Sequence, residues 1–400
     1  MTKIPVSRGV SKVEYAIRDL VLPATKLENQ GHKIIKLNIG DPLAYPNFPT
    51  PPHMLNAYIE ALNNQKNGYS PSYGIEPLRS AIANFEKNQK NGGWNCKSSD
   101  VYITSGVSEA LLILFASFLF PDDKILTPGP FYPPYVSYPP IFQSTAIQYR
   151  LKEDDNWKID FDDLKNKLDN NVKLLSIINP NNPTGSILEK NEILQLIEIV
   201  EDYPNCTIVS DEIYNKFNFT NEHISVASLS KKIPVITLNG ISKGYFAPGW
   251  RIGYIAIHDP KNKLEYVRDG IEKLLRGRLS APTPAQHGFL AALTESDQWR
   301  EEYNKKLIKQ RNYCVERIND INGLSVKKPK GAFYIFPKIE DNPYKNDKEF
   351  VLKFLEQEKV LLVHGSGFSK DYGKEHVRIV YLPDIKILEI AFDKLKSFMK

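Results

Sequence analysis

Cysteine is scarce in this chain: three in 400 residues, at Cys96, Cys206 and Cys314. Spaced that widely they frame neither a disulfide scaffold nor a metal site, and a reducing cytoplasm is the expected compartment. The seven histidines show no HExxH or paired-ligand spacing, so no metal is expected. Long apolar runs are missing as well. The greasiest stretch, ALLILFASFLF at 110–120, falls short of the about 20 residues that a membrane span needs, and reads as a buried helix. The opening MTKIPVSRGVSKVEYAIRDL has no apolar core of a signal peptide, and no membrane contact is expected. Charge of one sign is not in excess: 52 basic residues stand against 47 acidic ones, a formal net charge of +5, with no block of like charge. That balance argues against nucleic acid and leaves room for a local cationic pocket that takes a small anion.

What is present is an ordinary globular composition, 42% hydrophobic and 25% charged, enough to bury one large core or two. Through the middle of the chain, short β-branched runs alternate with helical ones. KLLSII (173–178), CTIVS (206–210), PVITL (234–238) and RIGYIAI (251–257) read as strands buried on both faces. EKNEILQLIEIVEDY (189–203) between the first two has apolar residues at three-and-four spacing, an amphipathic helix. The alternation predicts an α/β fold with a mostly parallel sheet, whose ligand sites gather at the carboxyl ends of strands. From about Thr294 the texture changes to long charged helices and short strands at GAFYIFPKI (331–339) and VLLVHGSGF (360–368). The expected organisation is an N-terminal segment (1–50) joined to a small α+β domain (294–400), with a large domain over 51–293.

The strand ends carry the unusual residues. SKGYFAPGWRIGY follows PVITL and sets Lys243 among small residues, with Arg251 eight positions on. NPNNPTG places Asn182 beyond one strand, and SDEIY ends another on Asp211, with Tyr214 three residues later. A carboxylate at the end of a buried strand is costly unless something cationic pairs with it. Gly106, Val107 and Ser108 begin an apolar helix, whose free N–H groups and positive dipole end suit an anion. PGPFYPPY holds Tyr132 between prolines at the same sheet edge. Singly, each has an ordinary explanation: a turn, a helix cap, aromatic packing or a loop lysine. Jointly they match pyridoxal 5′-phosphate, which needs a lysine for its aldehyde, an anion cradle, an acid for its ring nitrogen, donors to its phenolic oxygen and a ring to stack on.

With NNPTG, SDEIY, SKGYFAPGWRIGY and HVRIVYLP (376–383) in that order, the chain resembles the fold-type I, aspartate-aminotransferase-like enzymes over nearly its whole length. KLNIGDP, GAFYIFPKI and VHGSGF are most similar to alanine aminotransferases of the archaeal type. The resemblance implies a PLP-dependent transferase fold and a role for each matched position. Lys243 corresponds to the Schiff-base lysine, Asp211 to the partner of the pyridine nitrogen, and Tyr214 with Asn182 to the pair at the phenolic oxygen. Tyr132 corresponds to the stacking ring, and Gly106, Val107 and Ser108 to the phosphate cup that Arg251 and Ser242 complete. Arg378 corresponds to the arginine that grips the substrate α-carboxylate, beside Gly40. Tyr69 in GYSPSYGIEPLR corresponds to a tyrosine that reaches the neighbouring subunit's site, which implies a homodimer.

The activity so implied is ping-pong transfer of an amino group between an L-amino acid, alanine by the finer resemblance, and 2-oxoglutarate. The second carboxylate of 2-oxoglutarate asks for a cation, for which Arg276, Arg278 and Arg18 are candidates. Aspartate or aromatic amino acids as donors, and lyase or decarboxylase chemistry with the same lysine and acid, stay open at this level. A cofactor-sensing regulatory module is disfavoured, since no helix-turn-helix segment precedes the motif region.

Overall fold

Strand-forming runs too apolar to face water assemble the centre of the protein. A computed structural model describes residues 4–14, 17, 20–45, 47–220 and 223–400. Eight strands form one sheet: β1 (Val101–Thr104), β2 (Lys124–Gly129), β3 (Thr145–Lys152), β4 (Lys158–Ile159), β5 (Val172–Ile178), β6 (Thr207–Asp211), β7 (Val235–Gly240) and β8 (Gly253–His258). Their spatial order is β1-β8-β7-β6-β5-β2-β3-β4. The pairs β3–β2, β2–β5, β5–β6 and β6–β7 are parallel. β1, β6 and β7 are buried along their full length, as sheet strands covered on both faces must be.

The expected strand at 251–257 begins at Gly253 and runs antiparallel to both β1 and β7. Its start therefore lies at the same edge as the carboxyl ends of the parallel strands. Thr104 and Gly240 both pair with Gly253, Ile178 pairs with Asp211, and Asp211 pairs with Leu238. One edge thus collects the loops after β1, β2, β5, β6 and β7 and the turn before β8.

Helices α1 (Pro52–Asn63), α2 (Val107–Phe118), α3 (Lys190–Glu201), α4 (Glu265–Arg278), α5 (Thr283–Thr294), α6 (Trp299–Asn319), α7 (Asp347–Glu358) and α8 (Ile385–Phe398) complete the frame. α2 is the greasy run of the sequence, with Ala110, Leu111, Leu114 and Phe115 buried against β7 and β8. α3 starts on a reciprocal capping box between Glu189 and Glu192 and buries Ile193, Leu196, Ile197 and Val200. Truncating one such side chain, as in Leu196→Ala, costs about 2–5 kcal/mol.

A second group of short strands forms the other body. Tyr334–Ile335 and Val363–His364 flank Val377–Val380 in an antiparallel three-stranded sheet. GAFYIFPKI is two strands rather than one, because Pro337 has no N–H to continue the ladder. VLLVHGSGF also divides: Val360–Leu361 pairs in parallel with Ile35–Lys36, and Val363–His364 pairs with His364↔Val377 register against the central strand. The N-terminal strand Ile35–Lys36 therefore sits with the C-terminal body, and α1 packs on α5 of the large sheet's layer. The chain between them, 37–51, crosses from one body to the other.

Candidate functional site

Where the two bodies meet along the collected sheet edge there is a cavity of about 640 Å³. Gly40, Val107, Ser108, Tyr132, Asn182, Asp211, Tyr214, Ser242, Lys243, Arg251 and Arg378 all line it. Most of these arrive from the carboxyl ends of the parallel strands. Arg378 comes from the second sheet, and Gly40 from the crossing segment.

At one end is a cradle made by close backbone approach. Gly106 has φ +82°, and a Cβ there would meet the Arg251 guanidinium at 2.5 Å. A Cβ on Gly253 would come within 2.8 Å of the Val107 nitrogen. Only glycine lets the start of α2 and the turn before β8 approach so closely. Arg251, at φ +57°, donates to Ser105 O at 3.2 Å and to Pro248 O at 3.0 Å, which aims it across the N-terminus of α2. Helix N–H groups and a guanidinium converge there on a position suited to a phosphate.

Asp211, the last residue of β6, is 3% exposed. It accepts the Tyr135 hydroxyl at 3.0 Å and the Ile213 N–H at 3.2 Å. Burial pushes its carboxyl up to about 7 despite those bonds, with the neighbouring Glu212 charge adding to the rise and Lys243 opposing it. A buried acid this short of positive charge is where a protonated ring nitrogen fits.

Tyr214 and Asn182 stand near it. Tyr214 shares a hydrogen bond of 2.8 Å with the Tyr334 hydroxyl, and burial holds its phenol well above the ordinary value. Asn182 accepts from Arg378 NH1 at 3.0 Å through Oδ1, which leaves its Nδ2 to donate into the cavity. Lys243 donates to Gly40 O at 2.5 Å, so its amine sits beside the residue that also touches Tyr334. Arg378 is 1% exposed and lies between two rings, 4.4 Å from the Tyr334 centroid and 4.9 Å from that of Phe368. Its NH2 donates to Asn38 O at 2.6 Å, and its Nε has no bond.

Pyridoxal 5′-phosphate fits these residues on three observations: the glycine cradle under Arg251, the undercharged Asp211, and an amine and amide donors facing one cavity. No group of three His, Cys, Asp or Glu side chains able to hold a metal occurs among the described residues.

Among the described residues, Tyr69, Arg276 and Arg278 do not line this cavity, and the place expected for Tyr69 is a neighbouring subunit's site. Tyr69 is 83% exposed on the surface. Arg276 is exposed. Arg278 is instead spent on structure, donating to Ser72 O at 3.1 Å and Ile103 O at 3.0 Å and pairing with Glu109 at 3.3 Å. Arg18 lies outside the described residues. Two residues escaped the sequence reading, Tyr135 and Tyr334. Tyr135 follows Tyr132 by three in YPPY, and the nearby tyrosine is the signal that could have found it. Tyr334 sits within GAFYIF without any local polar signal.

The chain matches the model of the family "Aminotransferase class I and II" over residues 32–395. It is 36% identical over 405 residues to the glutamate-pyruvate aminotransferase AlaA of Escherichia coli K12, covering 100% of this chain and 98% of that one. It is 33% identical over 399 residues to an alanine aminotransferase of Mycobacterium tuberculosis, covering 98% and 92%. Among solved structures, an alanine aminotransferase from Pyrococcus furiosus superposes with a TM-score of 0.95 at 46% identity, covering 99% of each chain. With a matching cavity at the strand ends and a family match that spans nearly its full length, this chain belongs to the class I and II aminotransferases.

Proposed function

We propose that the protein transfers an amino group between L-alanine and 2-oxoglutarate, giving pyruvate and glutamate, with pyridoxal 5′-phosphate as cofactor. The observation that carries this is one cavity lined by an amine, Lys243, a buried forked cation, Arg378, and apolar walls that include Ile39, Ile178 and Ile213. The names of the bacterial and archaeal relatives support alanine as the donor.

When bound, the cofactor supplies an aldehyde that carries the amino group and a ring that draws off negative charge. Val107 and Ser108 at the start of α2, with Arg251 and Ser242, would hold its phosphate, and Tyr132, which lines the same cavity, would offer a ring to stack on. Asp211 would keep the ring nitrogen protonated, an interaction that is strong because the carboxyl is out of water. Tyr214 and Asn182 would donate to the phenolic oxygen. Arg378 keeps the Nε–H and one hydrogen on each terminal nitrogen for the substrate carboxylate, a two-pronged grip that orients the α-hydrogen towards Lys243. The Lys243 Nζ, placed beside that hydrogen, would take the proton and give it back, acting in turn as base and acid.

Three cations line the cavity among the described residues, Lys243, Arg251 and Arg378, and each has a task. Of the candidates for the distal carboxylate of 2-oxoglutarate, Arg278 is tied to the Ser72 and Ile103 carbonyls and Arg276 does not line the cavity, so the role falls to Arg18, whose chain neighbour Ile17 lines it. Tyr69 belongs to the site of a second subunit. Leu55, Ile59 and Leu62 form an exposed apolar stripe on α1 close by in sequence, which supports a homodimer. No helix among the described residues is long and apolar enough to cross a membrane. With three buried free cysteines, the cytoplasm is the compartment we assign.

The test is a set of single half-reactions on the loaded enzyme, followed by the cofactor's colour change with alanine, glutamate, aspartate and phenylalanine. Alanine and glutamate each convert one equivalent of cofactor. Reaction with aspartate or phenylalanine but not alanine, or continuous release of ammonia or carbon dioxide, overturns the assignment. Arg18→Ala raises KM for 2-oxoglutarate and leaves KM for alanine unchanged.

A further inference from the structure

Tyr334 touches three parts of the machinery at once. Its hydroxyl lies 2.8 Å from that of Tyr214, and its ring lies 4.4 Å under the Arg378 guanidinium. A Cβ on Gly40 would stand 2.1 Å from the same hydroxyl. Tyr334 pairs with Val380, so its strand runs directly beside the one that carries Arg378. Both phenols are buried, at 2% and 3% exposure.

We propose that Tyr334 is a positioning residue: its hydroxyl donates to Tyr214 and thereby turns the single Tyr214 hydrogen onto the cofactor's phenolic oxygen, while its ring seats Arg378. This rests on the role given to Tyr214 above. Two phenols that share one hydrogen bond have one hydrogen left over, and which ring keeps it depends on which is the better donor. The guanidinium over the Tyr334 ring favours negative charge on that ring and so strengthens its O–H as a donor. Tyr214 then accepts from behind and donates in front. Such a chain polarises both bonds in the same sense, and a buried site keeps water from replacing either. The packing of the hydroxyl over Gly40 prevents the Tyr334 ring from swinging away.

The experiment uses the cofactor-loaded protein and reads the pH midpoint of the bound cofactor's visible absorbance change. Donation to the phenolic oxygen stabilises its ionised form, so loss of a donor raises the midpoint. Tyr214→Phe raises it. Tyr334→Phe raises it by about 0.5–1 pH unit, as expected for the loss of one hydrogen bond acting through Tyr214. In the double variant Tyr334→Phe adds nothing beyond Tyr214→Phe. Tyr334→Phe keeps the ring and so raises KM for alanine less than Tyr334→Leu, which raises it about 2- to 30-fold by removing the seat of Arg378. Melting curves of the cofactor-free variants check that each still folds. A shift with Tyr214→Phe and none with Tyr334→Phe overturns the relay alone, and so does a full shift from Tyr334→Phe in the Tyr214→Phe background. An unmoved midpoint in Tyr214→Phe overturns the role of Tyr214 and the relay with it.

Discussion

Asp211 and Glu212 are neighbours in the chain and both are buried, yet they belong to two regions of opposite design. Glu212 turns to the packed interior, where its Oε1 accepts Ser210 Oγ at 3.0 Å, Ser225 Oγ at 2.9 Å and the Val226 N–H at 3.4 Å, and its Oε2 meets His223 at 2.9 Å. Asp211 faces the cavity with two donors and a carboxyl pushed up to about 7. The interior layer continues through Glu86, which takes donors from Trp94 and Gln89 and from Tyr254. The difference teaches how to tell a structural acid from a working one. Burial pushes the Glu86 carboxyl up as well, to about 8, so a raised carboxyl does not mark the working acid; Asp211 differs in lining the cavity, where a ligand can bring the charge it lacks.

The contrast breaks most severely when the cavity loses its amine. Lys243→Ala lowers turnover by roughly 10⁴-fold, the upper range for a positioned general base. The same variant loses covalent attachment of the cofactor, so borohydride no longer labels position 243; labelling elsewhere would sink the assignment.

Asp211→Asn is the next largest. Turnover falls by about two to four orders of magnitude if the lost pairing of roughly 3–5 kcal/mol appears in the barrier. Stability moves the other way in the cofactor-free protein. Between the ordinary carboxyl value of 3.8 and about 7, native Asp211 holds a proton that the unfolded chain gives up, so stability is lost as pH rises through that window. Apo Asp211→Asn therefore matches the apo wild type near pH 4 and exceeds it at pH 8, by at most about 4 kcal/mol. Thermal melts of both proteins across that range check the divergence, and parallel curves would refute it.

Glu212→Gln gives the smallest effect on chemistry and sharpens the comparison. It costs about 1–3 kcal/mol of stability in a denaturant titration, because a charge that accepts several bonds is replaced by a neutral amide. Turnover per folded molecule stays within a few-fold of wild type. A collapse of turnover like that of Asp211→Asn would erase the distinction between the two acids.

The strand-end motifs were legible because each is local. A buried run followed by Pro, Gly, Asn or a small residue declares both the strand and the loop that leaves it. The residues that escaped depend on distant partners: Tyr135 bonds an acid 76 positions away, and Tyr334 a phenol 120 positions away. Arg278 misled for the same reason. A free-looking arginine in LLRGRLS is occupied by carbonyls 206 and 175 positions earlier in the chain. The reversed direction of β8 was equally hidden, since an apolar strand reads alike in either direction.

By itself the amino-acid sequence determined the buried strands of the large sheet and the helices read from it, the glycine turn before α2, and which lysine, acid and arginine stand at chain positions able to serve a cofactor, because turn chemistry, capping and hydrophobic period act over a few residues. Only the tertiary structure decided that β8 runs backwards and so delivers Arg251 to the cradle, that Arg378 enters from a second sheet, and that Asp211 rather than Glu212 is left wanting a charge. Burial and partner supply are sums over residues far apart in the chain, and they take values only once the fold has closed.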